Sequence, residues 1–447
     1  MSDVIVRRAN DGALSPVEQE AARICAELIR IETINTGDDG STGEREAAEH
    51  VMALLTEVGY EPIYLESRPK RGTVILRVEG EDSQRDPLIV HGHLDVVGAV
   101  EKDWQVGPWS GEVLDGCIWG RGAVDMKDMD AMVIAILRDM RRSGWKPARD
   151  LIIAFFADEE AGGKLGAHWI VDHHPGLLGG AKEAIGEVGG FSTVINGQRA
   201  YLLQTAEKGL MWLRLLARGT AGHGSAVNPD NAVAHLVEAL SRLKAYEWPL
   251  HLTPTTTALL QGVADLTGLP YAQDRESLDA LLDVLGPTSR FAAPTLATTV
   301  NPTVLSAGDK VNVVPGTASA QVDIRFMPET EAEVRAVVDR LVGPRLEVDP
   351  IHQDWGVASP LAHPLVDAMT AALLREDPDA IVLPYMLCAG TDAKSLSQLG
   401  ITCYGFVPLK LPANLDFTAM FHGVDERVPL DALGFGTRVL ADFLATC

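Results

Sequence analysis

The feature that most constrains this chain is the alternation of helical patterns with short, uniformly apolar runs. Apolar residues recur at helical spacing in 44–60 and again in 125–144. Each of these segments is followed by a run rich in Val, Ile and Leu, at 87–93 and 149–160 respectively. Such runs, without polar alternation, are typical of strands that a sheet buries on both faces. The alternation therefore predicts an α/β protein in which a mixed, mostly parallel sheet is flanked by helices.

The pattern changes after about residue 203. Segments 209–219 and 317–328 look like half-buried strands, and each is followed by a helix, which suggests a small α+β layer. Segment 251–300, rich in Thr, Pro and Gly, is interpreted as an elaboration of that layer. The α/β pattern then returns. We expect a larger α/β domain in two parts, residues 1–203 and 354–447, with a smaller α+β domain, residues 204–353, inserted between them.

The charge balance disfavours several classes of partner. The 447 residues carry a formal net charge of −24, which would repel a nucleic-acid backbone or an anionic membrane surface. No apolar run approaches the ~18 residues of a membrane span, and the N-terminal segment lacks the apolar core of a signal peptide. The five cysteines are scattered, without the paired spacing of a thiolate zinc site. We expect a cytoplasmic protein with reduced cysteines that binds neither nucleic acid nor membrane.

Histidines and carboxylates stand where several predicted strands end. The run 88–97, LIVHGHLDVV, carries His91, His93 and Asp95, which could simply cap the sheet by hydrogen-bonding one another. Ligands of open α/β sheets bind at the carboxyl ends of strands, so polar groups collected there face one crevice. Because buried carboxylates repel one another, they need protons or cations, and imidazole with carboxylate suits zinc, cobalt or manganese. The other residues in such positions are Asp125, Glu159, Glu160, Glu187 and His422.

Four motifs in order, HGHLDVV, WGRGAVDMK, ADEEAGG and FHGVDE, resemble those of one family of dinuclear-zinc metallopeptidases. The family includes aminoacylase, glutamate carboxypeptidase, carboxypeptidase S, acetylornithine deacetylase and succinyl-diaminopimelate desuccinylase. The resemblance implies two zinc ions, with cobalt or manganese as possible substitutes. It implies that His93, Asp125 and Glu187 hold one ion and that Asp125, Glu160 and His422 hold the other, with Asp125 as the bridge. For the ligand at Glu187, Asp172 and Glu183 are the alternatives.

The resemblance also implies roles for residues around the metals. Asp95 would fix the tautomer of His93, and Glu159 would be the general base that takes a proton from a metal-bridging water. Adjacent residues in an extended or turning segment point in different directions, which agrees with Glu159 as base and Glu160 as ligand. His91 has no ligand role in the family pattern, and we expect it to be a satisfied histidine beside the site.

In the small domain, the GHGS motif implies that His223 stabilises the oxyanion, commonly across a dimer interface; a turn histidine between glycines is the alternative. By the same resemblance Asn312 and Arg325 contact substrate, the arginine through a carboxylate, although Arg325 could instead form a structural salt bridge. The loop with Gly390 and Thr391 would bind the substrate backbone, or serve only as a helix N-cap. The inserted domain would then be a lid and the contact of a homodimer.

These residues predict a zinc-dependent hydrolase that cleaves the amide bond of a short peptide, as a dipeptidase or carboxypeptidase does. The alternative is an N-acyl amino acid amidohydrolase of the aminoacylase or deacetylase type, and a remote alternative is a non-catalytic metal-binding protein. A two-metal phosphoesterase would need basic residues to clamp phosphate, and the motifs contain few. A Ser or Cys nucleophile is disfavoured because no nucleophile-elbow pattern is present.

Overall fold

The computed structural model describes residues 13–38 and 40–447. Residues 1–12, part of the N-terminal segment in which no signal peptide is predicted, and residue 39 lie outside the described residues. In the described part of the chain, no helix is both long and apolar enough to cross a membrane.

The strands of the described residues are β1 (Ile63–Glu66), β2 (Gly72–Val78), β3 (Leu88–His93), β4 (Glu112–Leu114), β5 (Cys117–Trp119), β6 (Leu151–Phe156), β7 (Glu183–Gly186), β8 (Phe191–Ile195), β9 (Gln198–Glu207), β10 (Gly209–Arg218), β11 (Gly222–His223), β12 (Thr299–Ala307), β13 (Val313–Val314), β14 (Thr317–Phe326), β15 (Leu346–Asp354), β16 (Val357–Ala358), β17 (Ile381–Leu387), β18 (Thr402–Gly405) and β19 (Arg427–Pro429).

The helices are α1 (Pro16–Arg30), α2 (Arg45–Glu57), α3 (Lys127–Ser143), α4 (Ala167–His173), α5 (Ala232–Ala245), α6 (Pro254–Thr267), α7 (Arg275–Val284), α8 (Ser289–Ala292), α9 (Glu331–Val342), α10 (Pro364–Glu376), α11 (Ala393–Ser397) and α12 (Leu430–Thr446).

A ten-stranded sheet forms the large part of the molecule, in the order β1-β2-β6-β3-β7-β18-β9-β16, with β17 and β8 also paired to β9. Strand β3 runs parallel to both β6 and β7, and β18 runs parallel to β7. The strands β1 and β2 at one side pair antiparallel. The mixed sheet with flanking helices is confirmed, and its parallel centre brings the carboxyl ends of β3, β6 and β7 to one edge.

The central strands are apolar because the fold covers both of their faces. Every residue of β3 and β6 is buried, and helix α3 packs over the sheet with a nearly continuous buried face. Such strands, covered on both sides, need no polar alternation. The ends of β3, β6 and β7 are therefore the places where the chain can leave the core and present polar side chains.

A second, four-stranded antiparallel sheet has the order β12-β14-β10-β15. Helices α5 and α9 pack against it and against each other, and together they bury a separate apolar cluster that includes Leu213, Leu236, Val322 and Val338. A sheet with one face covered by helices alternates buried and exposed residues, as β10 does. The expected small α+β layer is present.

Helices α6 and α7, which lie in the chain between β10 and β12 of the small sheet, pack against the large core and not against the small sheet. Leu259 and Val263 of α6, with Leu278 and Leu281 of α7, belong to the large apolar core, and α6 lies against β17. The interpretation of 251–300 as an elaboration of the small layer is therefore wrong for these helices. The chain returns to the large core between α5 and β12, a contact that local periodicity does not reveal because both cores accept the same apolar faces.

Candidate metal centre

Six side chains with metal-ligating chemistry meet at the carboxyl edge of the large sheet. His93 is the last residue of β3, Glu159 and Glu160 lie in the short 3-10 turn after β6, and Glu187 follows β7. Asp125 precedes α3 and His422 precedes β19. Because β3, β6 and β7 are parallel neighbours, their ends deliver these groups to one place without any long loop.

The six residues form two groups whose ligand atoms lie within 4.8 Å of one another in each group. His93 Nε2 is 3.4 Å from Glu187 Oε2, and His422 Nε2 is 2.9 Å from Glu160 Oε2. Such spacings suit donors that share one ion. The groups are His93, Glu159 and Glu187, and Asp125, Glu160 and His422.

Asp125 connects the two groups. Its Oδ1 lies 3.3 Å from His93 Nε2, and its Oδ2 lies 3.4 Å from His422 Nε2. Each carboxylate oxygen therefore faces a histidine of a different group. This is the placement that a bridging carboxylate needs.

The electrostatics of the cluster favour bound positive charge. Burial, with the charge of Glu187 added, raises the pKa of Glu159 well above its usual range, and burial with the charge of Asp125 raises the pKa of Glu160 to about 7. Hydrogen bonds to Asp125 and Glu160 raise the pKa of His422 to about 10. Glu160 Oε1 is buried and has no hydrogen-bond partner among the described residues. Positive charge bound among these carboxylates would offset the burial that raises the pKa values of Glu159 and Glu160.

Asp95 holds the turn that carries both glutamates. Its carboxylate accepts the backbone N–H groups of Glu159, at 3.1 Å, and Glu160, at 3.0 Å. Asn35 Nδ2 also donates to it, at 2.8 Å. The nearer acceptor for His93 Nδ1 is the main-chain carbonyl of Asp95, at 3.0 Å, while the carboxylate lies at 3.6 Å. The Asp95 carbonyl, rather than the Asp95 carboxylate that we expected, is therefore the group positioned to fix the tautomer of His93.

A buried network below Asp95 was not predicted. Arg71 donates to Glu44, at 2.6 Å, and to Asn35 Oδ1, at 2.8 Å, and Asn35 also donates to Asp158 Oδ1, at 3.1 Å. All of these side chains are buried. They come from separate segments that no single motif joins, so the sequence offered no local signal for them.

Glu426 is a second supporting residue, to which the motifs assigned no role. This fully buried carboxylate accepts the side chain of Arg121, at 2.6 Å, and the backbone N–H groups of Gly122, Val124 and Asp125, at 3.1, 2.8 and 3.2 Å. It therefore ties the loop of His422 to the loop of Asp125. Its place as the last residue of FHGVDE was the available signal.

The alternatives for the ligand at Glu187 lie away from the cluster. Glu183 is at the opposite end of β7 and pairs with Arg149, and Asp172 is exposed on α4.

His91 is buried beside the site, with its ring centroid 6.0 Å from that of Phe156, and burial lowers the pKa of His91 to about 3. Its Nε2 has no partner among the described residues, so His91 packs as a neutral ring and is not the hydrogen-bonded histidine that we expected.

A pocket beside the cluster holds three of the predicted substrate residues. Arg325, Gly390 and Thr391 line it together with Glu159, Glu160 and His422. Arg325 pairs with Asp323, at 2.7 and 3.1 Å, and the Thr391 hydroxyl donates to Glu207, at 2.9 Å. Residues from both sheets thus form the walls of one pocket next to the candidate metal ligands.

His223 and Asn312 do not line this pocket. His223 ends β11 and Asn312 directly precedes β13, which pairs with β11, and the Gly224 N–H donates to the Asn312 carbonyl at 2.8 Å. The His223 side chain is exposed, and its Nδ1 is 2.8 Å from Ser225 Oγ. Within one chain, the described structure does not bring these two residues to the cluster.

The fold and the clustered ligands define a hydrolase of the metallopeptidase class. The chain belongs to peptidase family M20/M25/M40, whose family model matches residues 89–446, and this confirms the resemblance drawn from the motifs. As a member of this family it is an enzyme that hydrolyses amide bonds.

Known proteins resemble the chain over most of its length. It is 27% identical over 383 residues to a probable carboxypeptidase S-like 2 of Dictyostelium discoideum, covering 80% of this chain and 71% of that protein. It is 27% identical over 423 residues to the N-fatty-acyl-amino acid synthase/hydrolase PM20D1 of Xenopus tropicalis, covering 91% and 81%. The crystal structure of an M20 family metallo-carboxypeptidase of Sulfolobus solfataricus superposes with a TM-score of 0.72 at 16% identity, covering 95% and 98%, which shows a shared fold.

Proposed function

We propose that the protein is a zinc-dependent hydrolase that cleaves the amide bond of a short peptide, as a dipeptidase or carboxypeptidase does. The observation that carries the proposal is the position of Asp125, whose two carboxylate oxygens face His93 and His422, one from each candidate ligand group. Glu159 is adjacent in the chain to Glu160, which belongs to the same group as Asp125 and His422. Hydrolysis requires a carboxylate next to a metal ligand that can accept and give up a proton. Glu159, next to Glu160, is in this position.

The residues present suit two zinc ions, with cobalt or manganese as substitutes. Imidazole and carboxylate donors without thiolate match these ions, and the oxygen of Glu160 that lacks a partner among the described residues is a donor still available to an ion. His93, Asp125 and Glu187 would hold one ion, and Asp125, Glu160 and His422 the other. Bound ions would supply Lewis acidity, which activates water and polarises the scissile carbonyl.

Glu159 is assigned the proton transfers. Its carboxylate lies among the ligand atoms of His93 and Glu187, in a site that burial makes favourable to its protonated form. It accepts the proton of the attacking water and then gives that proton to the leaving amine. Asp95 positions Glu159 through the backbone N–H that it accepts, so the base stays fixed while its proton moves.

The small sheet is assigned the role of a lid and of a homodimer contact. Strand β12 is at an edge of that sheet, and Val304 and Leu305 on it are 46% and 67% exposed. An exposed apolar edge strand is suited to pairing with a second chain. In such a dimer the exposed His223 would stabilise the oxyanion in the partner's site.

A reducing compartment, the cytoplasm, is the proposed location. All five cysteines are unpaired in the structure, the state that thiol reductants maintain. Cell fractionation with an antibody to the native chain tests this assignment.

A second candidate activity is hydrolysis of N-acyl amino acids, favoured by the similarity to the N-fatty-acyl-amino acid synthase/hydrolase. The purified protein, loaded with zinc, is assayed against dipeptides, N-acetyl amino acids, N-fatty-acyl amino acids and a phosphodiester. Faster cleavage of dipeptides supports the first proposal, and faster cleavage of acylated amino acids supports the second. Turnover of the phosphodiester alone, or of no substrate, contradicts both.

A further inference from the structure

Two of the candidate metal ligands lie in turns with an unusual backbone conformation. Val188, the residue after Glu187, has a φ of 54°, and His422 itself has a φ of 56°. A β-branched residue such as valine rarely adopts this left-handed region, which persists only where the surrounding structure enforces it. Glu187 and His422 belong to different ligand groups. Contacts that fix these two turns therefore fix the two groups relative to each other.

A buried tyrosine holds the turn after Glu187. Tyr385 is 1% exposed, and its hydroxyl donates to the Val188 carbonyl at 2.5 Å, across 197 positions of the chain. A buried hydroxyl needs a hydrogen-bond partner, so the position of the tyrosine ring determines the position of this carbonyl. Tyr385 lies on β17, which pairs with β9 of the large sheet. The turn after Glu187 is thereby tied to a second strand.

The ring of this tyrosine belongs to an aromatic cluster of five side chains. The aromatic cluster consists of Phe191, Phe291, Tyr385, Phe417 and Phe421. The ring centroid of Phe191 lies 5.6 Å from that of Tyr385 and 5.0 Å from that of Phe417. Phe421 packs edge-to-face on Phe417 at 5.2 Å and on Phe291 at 5.3 Å, a favoured arrangement of aromatic rings. Because Phe421 directly precedes the histidine ligand, ring contacts connect the two ligand turns without a break.

Segment 286–296, which carries one of the five rings, is fastened to the loop that leads to the histidine ligand. Arg290 pairs with Asp416 at 2.6 and 2.8 Å, and the Thr418 hydroxyl donates to the Pro287 carbonyl at 2.9 Å. The ion pair is exposed and contributes little by itself, so the ring contacts carry most of the connection. On the large core, where the sequence did not predict it, this segment supports a ligand loop.

We propose that the aromatic cluster positions the two ligand groups for metal binding by fixing Glu187 relative to His422, so that Asp125 reaches both groups. The inference rests on the proposed two-metal centre and goes beyond it, because it assigns a function to residues that supply no ligand atom. The Tyr385 hydroxyl acts on the group of Glu187, and the Phe421 ring acts on the group of His422. Residues that orient metal ligands in this way alter metal affinity when they are substituted.

Tyr385→Phe tests the contact with the turn after Glu187, because it removes the hydroxyl and keeps the ring. The metal-free protein is titrated with zinc in competition with a chelator. We expect one of the two dissociation constants to rise about tenfold to a hundredfold and the other to stay within about threefold of the wild type. Tyr60→Phe is the matched control, since the buried Tyr60 hydroxyl also donates to a carbonyl, that of Leu137 at 3.0 Å. It should change neither constant.

Phe421→Leu tests the contact with the histidine ligand, because it removes the ring and keeps an apolar side chain. We expect the other dissociation constant to rise about tenfold, and Phe421→Tyr, which keeps the ring, should retain most of the affinity. Phe443→Leu removes a fully buried ring outside the aromatic cluster. It should lower the melting temperature through lost packing and leave both constants within about threefold of the wild type.

A double substitution assigns each constant to its group. Glu160→Gln weakens the group of His422, so the ion that it still binds tightly belongs to the group of Glu187. In this background, Tyr385→Phe should weaken the remaining ion about tenfold to a hundredfold, and Phe421→Leu should leave it unchanged.

Three results overturn the proposal. Unchanged zinc affinity in Tyr385→Phe or in Phe421→Leu, with two ions bound to the wild type, would leave the two-metal centre intact and exclude a positioning role of the aromatic cluster. An equal loss of affinity in Phe443→Leu would reduce the effect to general packing. A wild type that binds at most one ion would contradict the two-metal centre and the inference together.

Discussion

At the scale of single residues, Glu159 and Glu160 show how one turn supplies two functions. Their backbone N–H groups are both bound by the carboxylate of Asp95, yet their side chains enter different ligand groups. The turn begins at Asp158, whose positive φ of 69° places the chain in the left-handed region. Adjacent side chains that diverge from a fixed turn can serve separately as base and ligand.

This division predicts distinct effects of two isosteric substitutions. Glu159→Gln should retain both metal ions and lower kcat by roughly a hundredfold to ten-thousandfold, because the proton acceptor is lost. Glu160→Gln should weaken metal binding, because the group of Asp125, Glu160 and His422 loses a charged ligand. Metal content by mass spectrometry and steady-state kinetics measure the two effects, and the reverse pattern would refute the assignment.

Asp95 offers a second test at this scale. Asp95→Asn keeps the shape but turns one acceptor oxygen into a donor facing a backbone N–H. We expect a loss of roughly tenfold to a hundredfold in metal affinity or activity, as for other residues that orient ligands. Asp86→Asn, at an exposed position, is the control and should change neither. Unaltered metal affinity in Asp95→Asn would show that the main chain alone holds the turn.

At the scale of elements, the loops that carry Asp125 and His422 are joined by one buried carboxylate. Glu426 accepts three backbone N–H groups of the loop before α3 and the guanidinium of Arg121, which also donates to the Gly423 carbonyl at 2.8 Å. Burial raises the pKa of Glu426 to about 7, although Arg121 opposes this shift. Asp125, the proposed bridging ligand, is thus positioned by the loop that carries His422, another proposed ligand.

Glu426→Ala should therefore disturb both stability and metal binding. Removing one partner of a buried ion pair typically costs about 3–5 kcal/mol, and the released backbone N–H groups add to the loss. We expect a lower melting temperature in the metal-free protein and a weaker metal affinity, measured by scanning calorimetry and by competition with a chelator. Glu112→Ala, on the exposed strand β4, is the matched control. A variant that is less stable but binds metal as tightly as the wild type would remove the positioning role.

At the scale of the whole molecule, the two sheets meet at the pocket. Asp354, the last residue of β15, accepts His352 Nε2 at 2.6 Å and lies 3.1 Å from His168 Nε2 on α4. These contacts join the small sheet to the large one on the side of the substrate residues. The His223 ribbon, by contrast, lies outside the pocket, which agrees with a role in a second chain.

A mixing experiment tests that role. His223→Ala alone should lower turnover roughly a hundredfold to a thousandfold without changing metal content, as for other oxyanion contacts. Mixing it with inactive Glu159→Gln should restore part of the activity, because a hybrid dimer contains one intact composite site. Sedimentation analysis verifies the dimer. A monomer with no recovered activity would place the action of His223 within its own chain, and full activity of His223→Ala would exclude it from catalysis.

The metal-free protein should also show a characteristic pH dependence. The pKa of Glu160 is raised to about 7 and that of His422 to about 10, so the folded chain binds more protons than the unfolded chain between about pH 4.5 and 10. Their contribution to the free energy of unfolding is present at low pH and lost as pH rises through these values. Zinc should raise the melting temperature more at pH 8 than at pH 6, as scanning fluorimetry can measure. An equal or smaller rise at pH 8 would contradict the ligand set.

The sequence alone was enough to predict the candidate metal ligands and the class of fold. His93 ends one apolar strand and Glu160 follows another within a few residues, so a local pattern was enough to place them at a sheet edge. The same reasoning predicted the mixed sheet, since runs buried on both faces are visible in any short window. The motif order then pointed to the family, which the match over residues 89–446 confirms.

Only the tertiary structure decided which distant residues support the site. Glu426 meets the loop of Asp125 across 304 positions at Gly122, and helix α6 packs on the large core and not on the small one. These facts depend on contacts between segments far apart in the chain. A single sequence carries no local signal for such contacts, because burial and pairing are set by what the folded chain brings next to each side chain.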